Sequence, residues 1–498
     1  MSKEYLYSVQ SYSMSKENPL YETYLDFCIS ARDLYNQSLF YIRNAFTGGN
    51  KLKNDTVLHE NEIDVINFIN GNIDICQRKD GKTFKKIDKS NYVLSYEHLQ
   101  KLLYKTKNEV YFGNNLLPQT RNKVIKLAYQ NMKSFLASIK DYKKSKDKYK
   151  GKPNLPKYRK PNQWVTFEIP SQSGQIVKAE DGYYFRIKSE DLKDKIGRRF
   201  YIGKEIHSGT LEKTSISYEY GKIVFRFTFK EEVLPTLKED NNRYLGIDLG
   251  VSNFATISNN IGQRPIVIKG NIIKSKNQWY NKRKSILQER YMKCQTSKKF
   301  KEFLYKSMTP EEIEKDKNSK GIYITSKQLN SLSRNRDNYF HDIFHKISKY
   351  IVSYAINNDI SKIIIGSNKD WKQEVNMTKK NNQNFVSIPY HKFIKILKDK
   401  AFRNGIEVIT VDESYTSKSS ILDLDILPIY EKNSNKNFHF SGTRKSRSYY
   451  SKVYGHIHSD VNGASNIIRR YNDKSFLNQD LFYLQQHPLG IREPIYIM

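Results

Sequence analysis

Tyr244-Leu-Gly-Ile-Asp248-Leu-Gly-Val-Ser-Asn-Phe-Ala-Thr-Ile-Ser258 is the stretch on which the fold turns. Leu245, Ile247 and Leu249 alternate with Gly246, Asp248 and Gly250, the period of two that marks a strand. Val251-Ser-Asn turns the chain, and Phe254-Ala-Thr-Ile257 runs back beside it. The glycines keep bulk away from both flanks of Asp248. A mid-strand carboxylate kept clear in this way suits a metal ligand that must meet a large substrate. A hairpin whose polar face merely carries an aspartate accounts for this stretch equally well.

Working outward toward the C-terminus, Lys362-Ile-Ile-Ile-Gly366 and Gly405-Ile-Glu-Val-Ile-Thr-Val411 read as strands buried on both faces. A helix from about His391 to Arg403 lies between them, so the three form a βαβ unit with the usual right-handed crossover. Residues 276–350 are basic and mostly helical, ending in a buried stripe of Phe340, Ile343, Phe344, Ile347, Ile351 and Ala355. Residues 414–456 read as irregular and polar. A last helix opens at Asp460, within His458-Ser-Asp460-Val-Asn-Gly-Ala-Ser-Asn-Ile467. Asp460 stands at a good capping position, which is one complete account of it. Gly463, Ala464 and Ser465, however, are small enough for the first turns to press against a sheet, bringing this carboxylate near the strand of Asp248.

Toward the N-terminus, residues 4–13 alternate as an isolated strand that must pair with something distant. A helical pattern runs from Leu20 to Phe46 and is expected to stop at Gly48-Gly49-Asn50. A second strong helix spans about Gln119 to Tyr142. The basic run Lys143 to Lys160 follows, with Lys143, Lys144, Lys157, Arg159 and Lys160 as candidate nucleic-acid contacts; a solvated linker is the plainer reading of such a run. Residues 164–230 are β-rich and suggest a small barrel that strand 4–13 could complete, making the helices of 19–145 an insertion. Glu231 to Asp240 is a charged linker with a proline, a domain boundary.

The chain has 498 residues, with 38% hydrophobic and 13% aromatic residues, enough to bury real cores. Lys and Arg number 85 against 52 Asp and Glu, a net charge of +33 spread along the chain. A polyanion is the natural partner, RNA or DNA first. No apolar run is long enough to cross a bilayer, and Met1-Ser-Lys-Glu-Tyr5 lacks the apolar segment of a secretory signal; the expectation is a cytoplasmic protein with no membrane partner. The three cysteines, Cys28, Cys76 and Cys294, lie far apart, without the short spacing of a zinc or redox motif.

An aspartate on a first strand, an acid after a later parallel strand and an aspartate on the last helix resemble an RNase H-like nuclease. More specifically, Gly246-Ile-Asp248-Leu-Gly, Tyr415-Thr-Ser417 and Asp460-Val-Asn-Gly-Ala-Ser-Asn-Ile467 resemble the RuvC motifs of transposon-encoded TnpB and of compact type V CRISPR effectors. Ala31-Arg-Asp-Leu-Tyr-Asn36, Pro153-Asn-Leu-Pro-Lys157 and the stretch from Asn381-Asn-Gln-Asn-Phe385 to Ser417 resemble other parts of these proteins. The resemblance implies a multidomain α+β protein: a wedge β-barrel (1–18 and 151–235), a helical recognition domain inserted in it (19–150), and an RNase H-like RuvC nuclease domain (236–417 and 457–498). It further implies an RNA-guided DNA endonuclease whose partners are a guide RNA and target double-stranded DNA with a short flanking motif. Mg²⁺ would serve as a pair of ions about 3.5–4 Å apart, with Mn²⁺ able to substitute.

The chain departs from that family twice. Between Tyr-Thr-Ser and the last aspartate, where the family places two cysteine pairs, residues 418–457 hold no cysteine. Zinc is therefore not expected, and Phe440-Ser-Gly-Thr-Arg-Lys-Ser-Arg447 offers Arg444, Lys445 and Arg447 to phosphate instead. The second carboxylate of the family falls on Gly366, which cannot bind a metal. Glu413, one strand over at a spacing of about 4.8 Å, is the expected replacement, with Glu374 and Asp412 as alternatives. Asp248, Glu413 and Asp460 thus form the expected metal-binding and catalytic set. Two other functions stay open: a guided DNA binder or repressor unable to cut, and an unguided RNase H-fold resolvase or transposase.

Overall fold

The computed structural model describes residues 5–76, 78, 80–81, 83–88, 92–113, 115–146, 149, 151–161, 163–188, 199–231, 235–296, 326–367, 388–429, 438–477 and 479–491. It is a mixed α+β protein of two compact units, Met1–Val233 and one taking nearly all of the chain from Leu234 onward. None of its described helices is long and apolar enough to cross a membrane.

The first unit runs β1 (Leu6–Met14), α1 (Tyr21–Lys53), α2 (Glu60–Gly71), α3 (Tyr96–Lys105), α4 (Glu109–Phe112), α5 (Pro118–Lys144), then β2 (Phe167–Pro170), β3 (Gly174–Ala179), β4 (Gly182–Ile187), β5 (Phe200–Gly203), β6 (Thr210–Glu219) and β7 (Lys222–Glu231). The alternating N-terminal stretch finds its distant partner: β1 pairs antiparallel with β7 from Leu6↔Glu231 to Met14↔Ile223. The sheet order is β1-β7-β6-β2, and β3-β4-β5 form a second sheet. A single aromatic core joins sheets and helices. Tyr24 of α1 meets Phe225 edge-on with ring centroids 4.9 Å apart, and Phe225 in turn lies 4.8 Å from Phe200.

Helix α1 does not stop at Gly48-Gly49-Asn50 but continues to Lys53. A Cβ on Gly48 would stand 2.8 Å from Ile66 Cδ1 of α2. This glycine is needed for close helix packing, which local propensity cannot distinguish from a helix stop. Lys143 and Lys144 likewise belong to the last turn of α5 rather than to the basic run after it.

The second unit runs β8 (Tyr244–Leu249), β9 (Asn253–Asn259), β10 (Ile266–Lys269), α6 (Asn271–Thr296), α7 (Lys327–Asn357), β11 (Lys362–Gly366), α8 (Tyr390–Arg403), β12 (Glu407–Val411), β13 (Gly442–Lys445), β14 (Ser448–Ser451), β15 (Gly455–His458), α9 (Ser459–Tyr471), α10 (Phe482–Gln485) and β16 (Leu489–Ile491). Its main sheet has the order β12-β11-β8-β9-β10-β16. Strands β8, β11 and β12 are parallel, and β8, β9 and β10 form an antiparallel meander. Phe340, Phe344 and Ile347 of α7 and Phe393 and Leu397 of α8 share a core with Leu245, Ile247, Phe254, Ile363 and Ile365. Val461, Ile467 and Ile468 of α9 share another with Tyr244 and Ile364. Since β8 contributes alternate side chains to both cores, the sheet is covered on both faces. Each such fully buried side chain contributes about 1.5–3 kcal/mol, enough to hold the strand ends in fixed register.

The described residues of the polar stretch 414–456 are more ordered than its composition predicts. Strands β13, β14 and β15 form a small antiparallel sheet. Its hairpin turn carries Ser446 at φ 57°, and Tyr449 and Ile457 are its deeply buried apolar side chains. So few buried positions leave no period-two signal.

Candidate metal centre at the ends of the parallel strands

Asp248 is the penultimate residue of β8. Helix α9 lies directly on this strand. A Cβ on Gly246 would fall 2.1 Å from the Ala464 carbonyl oxygen, and one on Gly463 would fall 2.9 Å from Asp248 Oδ2. The small residues of the two motifs therefore face each other, and they bring the first turn of α9 to the Asp248 carboxylate. Ser258 and Ser465 close the same interface with an Oγ–Oγ hydrogen bond of 2.6 Å.

Asp460 is not the cap of its helix. The helix starts at Ser459, and His458 takes the capping role, its Nδ1 accepting from the Asp460 backbone N–H at 3.3 Å. The Asp460 carboxylate is thus released for other partners. Its Oδ2 accepts from Asn253 Nδ2 at 2.8 Å, and its Oδ1 from Arg444 Nη2 at 3.2 Å. Arg444 comes from β13, within the stretch that lacks the cysteines.

Glu413 follows β12 by two residues. A Cβ on Gly366 would stand 3.3 Å from Glu413 Oε2 and 2.5 Å from Ile467 Cδ1. The glycine that cannot bind metal thus makes the space into which the glutamate reaches. Asp412 points elsewhere: it is exposed, and its Oδ1 accepts from the Ser414 N–H at 2.9 Å. Glu374 lies outside the described residues.

The electrostatics tie the three acids together. Burial, then the negative charges of Asp460 and Glu413, push the Asp248 carboxyl well above the usual carboxylate range, while Arg444 draws it down. Grouped carboxylates repel one another, and Asn253 and Arg444 donate to Asp460. Among the described residues no three His, Cys, Asp or Glu side chains close into a ready-made metal cage. The donor chemistry nonetheless fits a divalent ion: hard oxygen ligands from one strand, one loop and one helix.

Of the other candidates, Arg444 meets the acids, while Lys445 lies over the Tyr450 ring at 5.8 Å and the Arg447 carbonyl accepts from the Ser459 N–H at 2.8 Å. Lys157, Arg159 and Lys160 lie in the first unit, on exposed chain that follows α1. Asn36 clamps that chain at Arg159, accepting from its N–H at 2.7 Å and donating to its carbonyl at 2.8 Å. Arg43 donates to the Pro156 carbonyl at 3.1 Å and Arg32 to the Pro161 carbonyl at 3.0 Å. The two separated motifs of the front half, around Asn36 and around Pro156, are therefore one structural device.

Sequence reasoning passed over Asn253, Tyr390 and the polar face of α9. The Tyr390 hydroxyl donates to the Gly250 carbonyl at 2.8 Å, and burial, with the charge of Asp248, raises its pKa. Asn462 and Asn466 stand at the i, i+4 spacing of one helix face, the signal that could have revealed them. Both are fully buried, and both donate to the Ser419 carbonyl, at 2.8 and 2.7 Å.

Comparison with known proteins shows what this mixed α+β chain is similar to. Residues 215–372 match the OrfB_IS605 family, described as "Probable transposase", and residues 390–467 match the "Cas12f1-like, TNB domain". The chain is thus similar to the OrfB_IS605 (TnpB) family over the first of these stretches and to a Cas12f1-like TNB domain over the second. Among curated proteins none matches the chain. Among solved structures, the Cas12f1–sgRNA–target DNA complex is similar at 14% identity over 91% of this chain and 83% of that one, with a TM-score of 0.46. A CRISPR–Cas12f ternary complex is similar at 12% identity over 90% of this chain and 82% of that one, with a TM-score of 0.29. The stretch matching the TNB domain contains no cysteine. In it Asp425 accepts from the Ser420 and Ser441 N–H groups at 2.9 and 3.0 Å, and Asp423 from Ser451 Oγ at 2.9 Å.

Proposed function

We propose that this protein is an RNA-guided DNA endonuclease in which Asp248, Glu413 and Asp460 hold divalent cations. The observation that carries this reading is the convergence of the three acids from distant parts of the chain: the first turns of α9, which bears Asp460, press on the Asp248 carboxylate at Gly463, and Glu413 reaches into the space left by Gly366 on the neighbouring strand. The meander β8-β9-β10 followed by parallel β11 and β12, with α9 packed on β8, supports an RNase H-like domain. Mg²⁺, or Mn²⁺ in its place, would supply an activated water and charge stabilisation for the leaving oxygen. The chain's own residues do the rest. Gly366 makes room for Glu413, Gly463 lets α9 meet Asp248, and Asn253 and Arg444 orient Asp460. A guide RNA would supply sequence specificity by pairing, while the protein grips backbone and reads a short flanking motif. On this reading the first unit supplies the wedge and recognition surfaces, with Lys143, Lys144, Lys157, Arg159 and Lys160 on nucleic-acid backbone.

The second reading, a guided DNA binder that does not cut, is favoured by Gly366 standing where the family has an acid. One experiment separates them. The ribonucleoprotein with target DNA and Mg²⁺ is expected to cut, and Glu413→Gln to lose cutting by at least about a hundredfold, or ~2.7 kcal/mol of barrier, with target binding kept. Normal cutting by that variant removes Glu413 from the site. Target binding without cutting by the unaltered protein establishes the binder. A protein that purifies without RNA and cuts unguided returns the resolvase or transposase reading.

A further inference from the structure

We infer that Asn253 is the residue that positions the Asp460 carboxylate for its cation, and that Lys269 sets the direction of the Asn253 amide. The inference rests on the proposed reading of Asp460 as a metal ligand.

The arrangement begins with the backbone. Asn253 opens β9 just after the turn that follows Asp248. The β9–β10 ladder runs in plain register from Ile266↔Ile257 to Ile268↔Ala255, then shifts so that Lys269 stands opposite Asn253. A bulge of this kind re-aims a side chain. It brings Lys269 Nζ to 3.4 Å from Asn253 Oδ1. The turn is pinned from behind by Gly270, whose N–H donates to the Ser252 carbonyl at 2.9 Å. A Cβ on Gly270 would fall 2.3 Å from the Val251 carbonyl oxygen, so the close approach requires glycine.

The chemistry follows from donors and acceptors. An ammonium group only donates, so the Asn253 atom facing Lys269 is its carbonyl oxygen. The amide N–H₂ then faces Asp460 Oδ2 at 2.8 Å. Reversing the amide would set one oxygen against another and turn the N–H₂ on the lysine. Arg444 holds the opposite oxygen, Oδ1, at 3.2 Å, but a guanidinium competes with an incoming cation for the same negative charge. Asn253 is neutral. It occupies one lone pair of Oδ2, leaves the other for a metal, and fixes the rotation of the carboxylate in either state. Partners of this kind, behind the ligand rather than on the ion, typically govern roughly 10–100-fold in metal affinity.

The test uses the full-length protein, with Mn²⁺ binding followed by the electron paramagnetic resonance of free Mn²⁺, beside the Mg²⁺ dependence of guided cleavage. Asn253→Ala is expected to weaken Mn²⁺ binding roughly 10–100-fold and to move the Mg²⁺ midpoint upward in parallel, with target-DNA binding and thermal melting unchanged. Asn253→Gln, which keeps an N–H donor, should recover part of the loss, and Lys269→Met should reproduce a smaller part of it. Asn253→Ala added to Asp460→Ala should cost nothing further, because the two act as one unit. Native Mn²⁺ affinity in Asn253→Ala, beside a clear loss in Asp460→Ala, overturns the inference and leaves the metal site standing. Native affinity and cleavage in Asp460→Ala itself overturn the reading of the site, and the inference with it.

Discussion

Asp248 owes its place to what its neighbours lack. Gly463 brings α9 to within contact of its carboxylate, with 2.9 Å left for a Cβ. Gly463→Ala should therefore push the helix or the carboxylate aside, lowering melting by an amount matching about 1–3 kcal/mol and lowering cleavage by more than that loss explains. Paired thermal melts and cleavage rates would check this; an unchanged rate would mean that the contact is slack. A residue of the first unit adds a pH dependence of its own. His98 is buried, stacked on Phe84 at 4.1 Å and in contact with the Tyr92 hydroxyl at 3.0 Å. Burial pushes its imidazole down from 6.5 to about 4. The unfolded chain thus takes up the proton first as pH falls, so this stability is intact above pH 6.5 and is lost progressively toward pH 4. The loss is at most about 3 kcal/mol. Denaturant titrations across that window should show it, and His98→Gln should flatten the slope.

At the scale of elements, α9 does more than carry Asp460. Its buried Asn462 and Asn466 and its Arg469 and Arg470 bind backbone carbonyls along the segment just beyond Glu413. Asn466 reaches the Thr416 carbonyl at 3.0 Å, Arg469 that of Asp425 at 2.9 Å, and Arg470 that of Ser414 at 2.6 Å. A polar chain with few apolar residues is thereby fixed without a core of its own. The helix that holds one acid consequently sets the approach of another. Asn466→Ala leaves buried carbonyls short of a donor, at a cost of about 1–3 kcal/mol. Cleavage should fall with it, because Glu413 stands at the start of the released segment. Measuring melting and cleavage in the same variant tests the link; reduced stability with full cleavage would break it.

At the scale of the whole molecule, charge is the governing quantity. A net +33 favours long polyanions, and the exposed chain from Lys157 to Lys160, clamped on α1 by Asn36, presents part of it in a set conformation. Affinity for nucleic acid should fall linearly on a log–log plot against salt, and each phosphate contact removed should reduce the slope by about 0.7–0.9. Lys157→Ala and Lys160→Ala should each do this if they grip backbone, across sequences alike. Binding isotherms at several salt concentrations would decide it, and an unaltered slope would return this chain to the role of linker.

Much of this architecture is legible in the sequence. Period-two runs announced β1 and β8, the run of Ile announced the buried strand β11, and the small residues after Asp460 announced a helix pressed on a sheet; β12, expected to be buried on both faces, is instead a partly exposed edge strand, because nothing pairs with its outer side. These signals are local, and local sequence records them because each strand or helix must match its own burial pattern. Other features were not legible for a complementary reason. That Asn253 meets Asp460, that Ser258 meets Ser465 and that Asn462 holds the Ser419 carbonyl each depend on a partner far away in the chain. Sequence alone determined which residues could serve as ligands, strands and contacts. Only the tertiary structure decided which of them meet, because proximity across 40 to 200 residues is a property of packing and register that no single stretch contains.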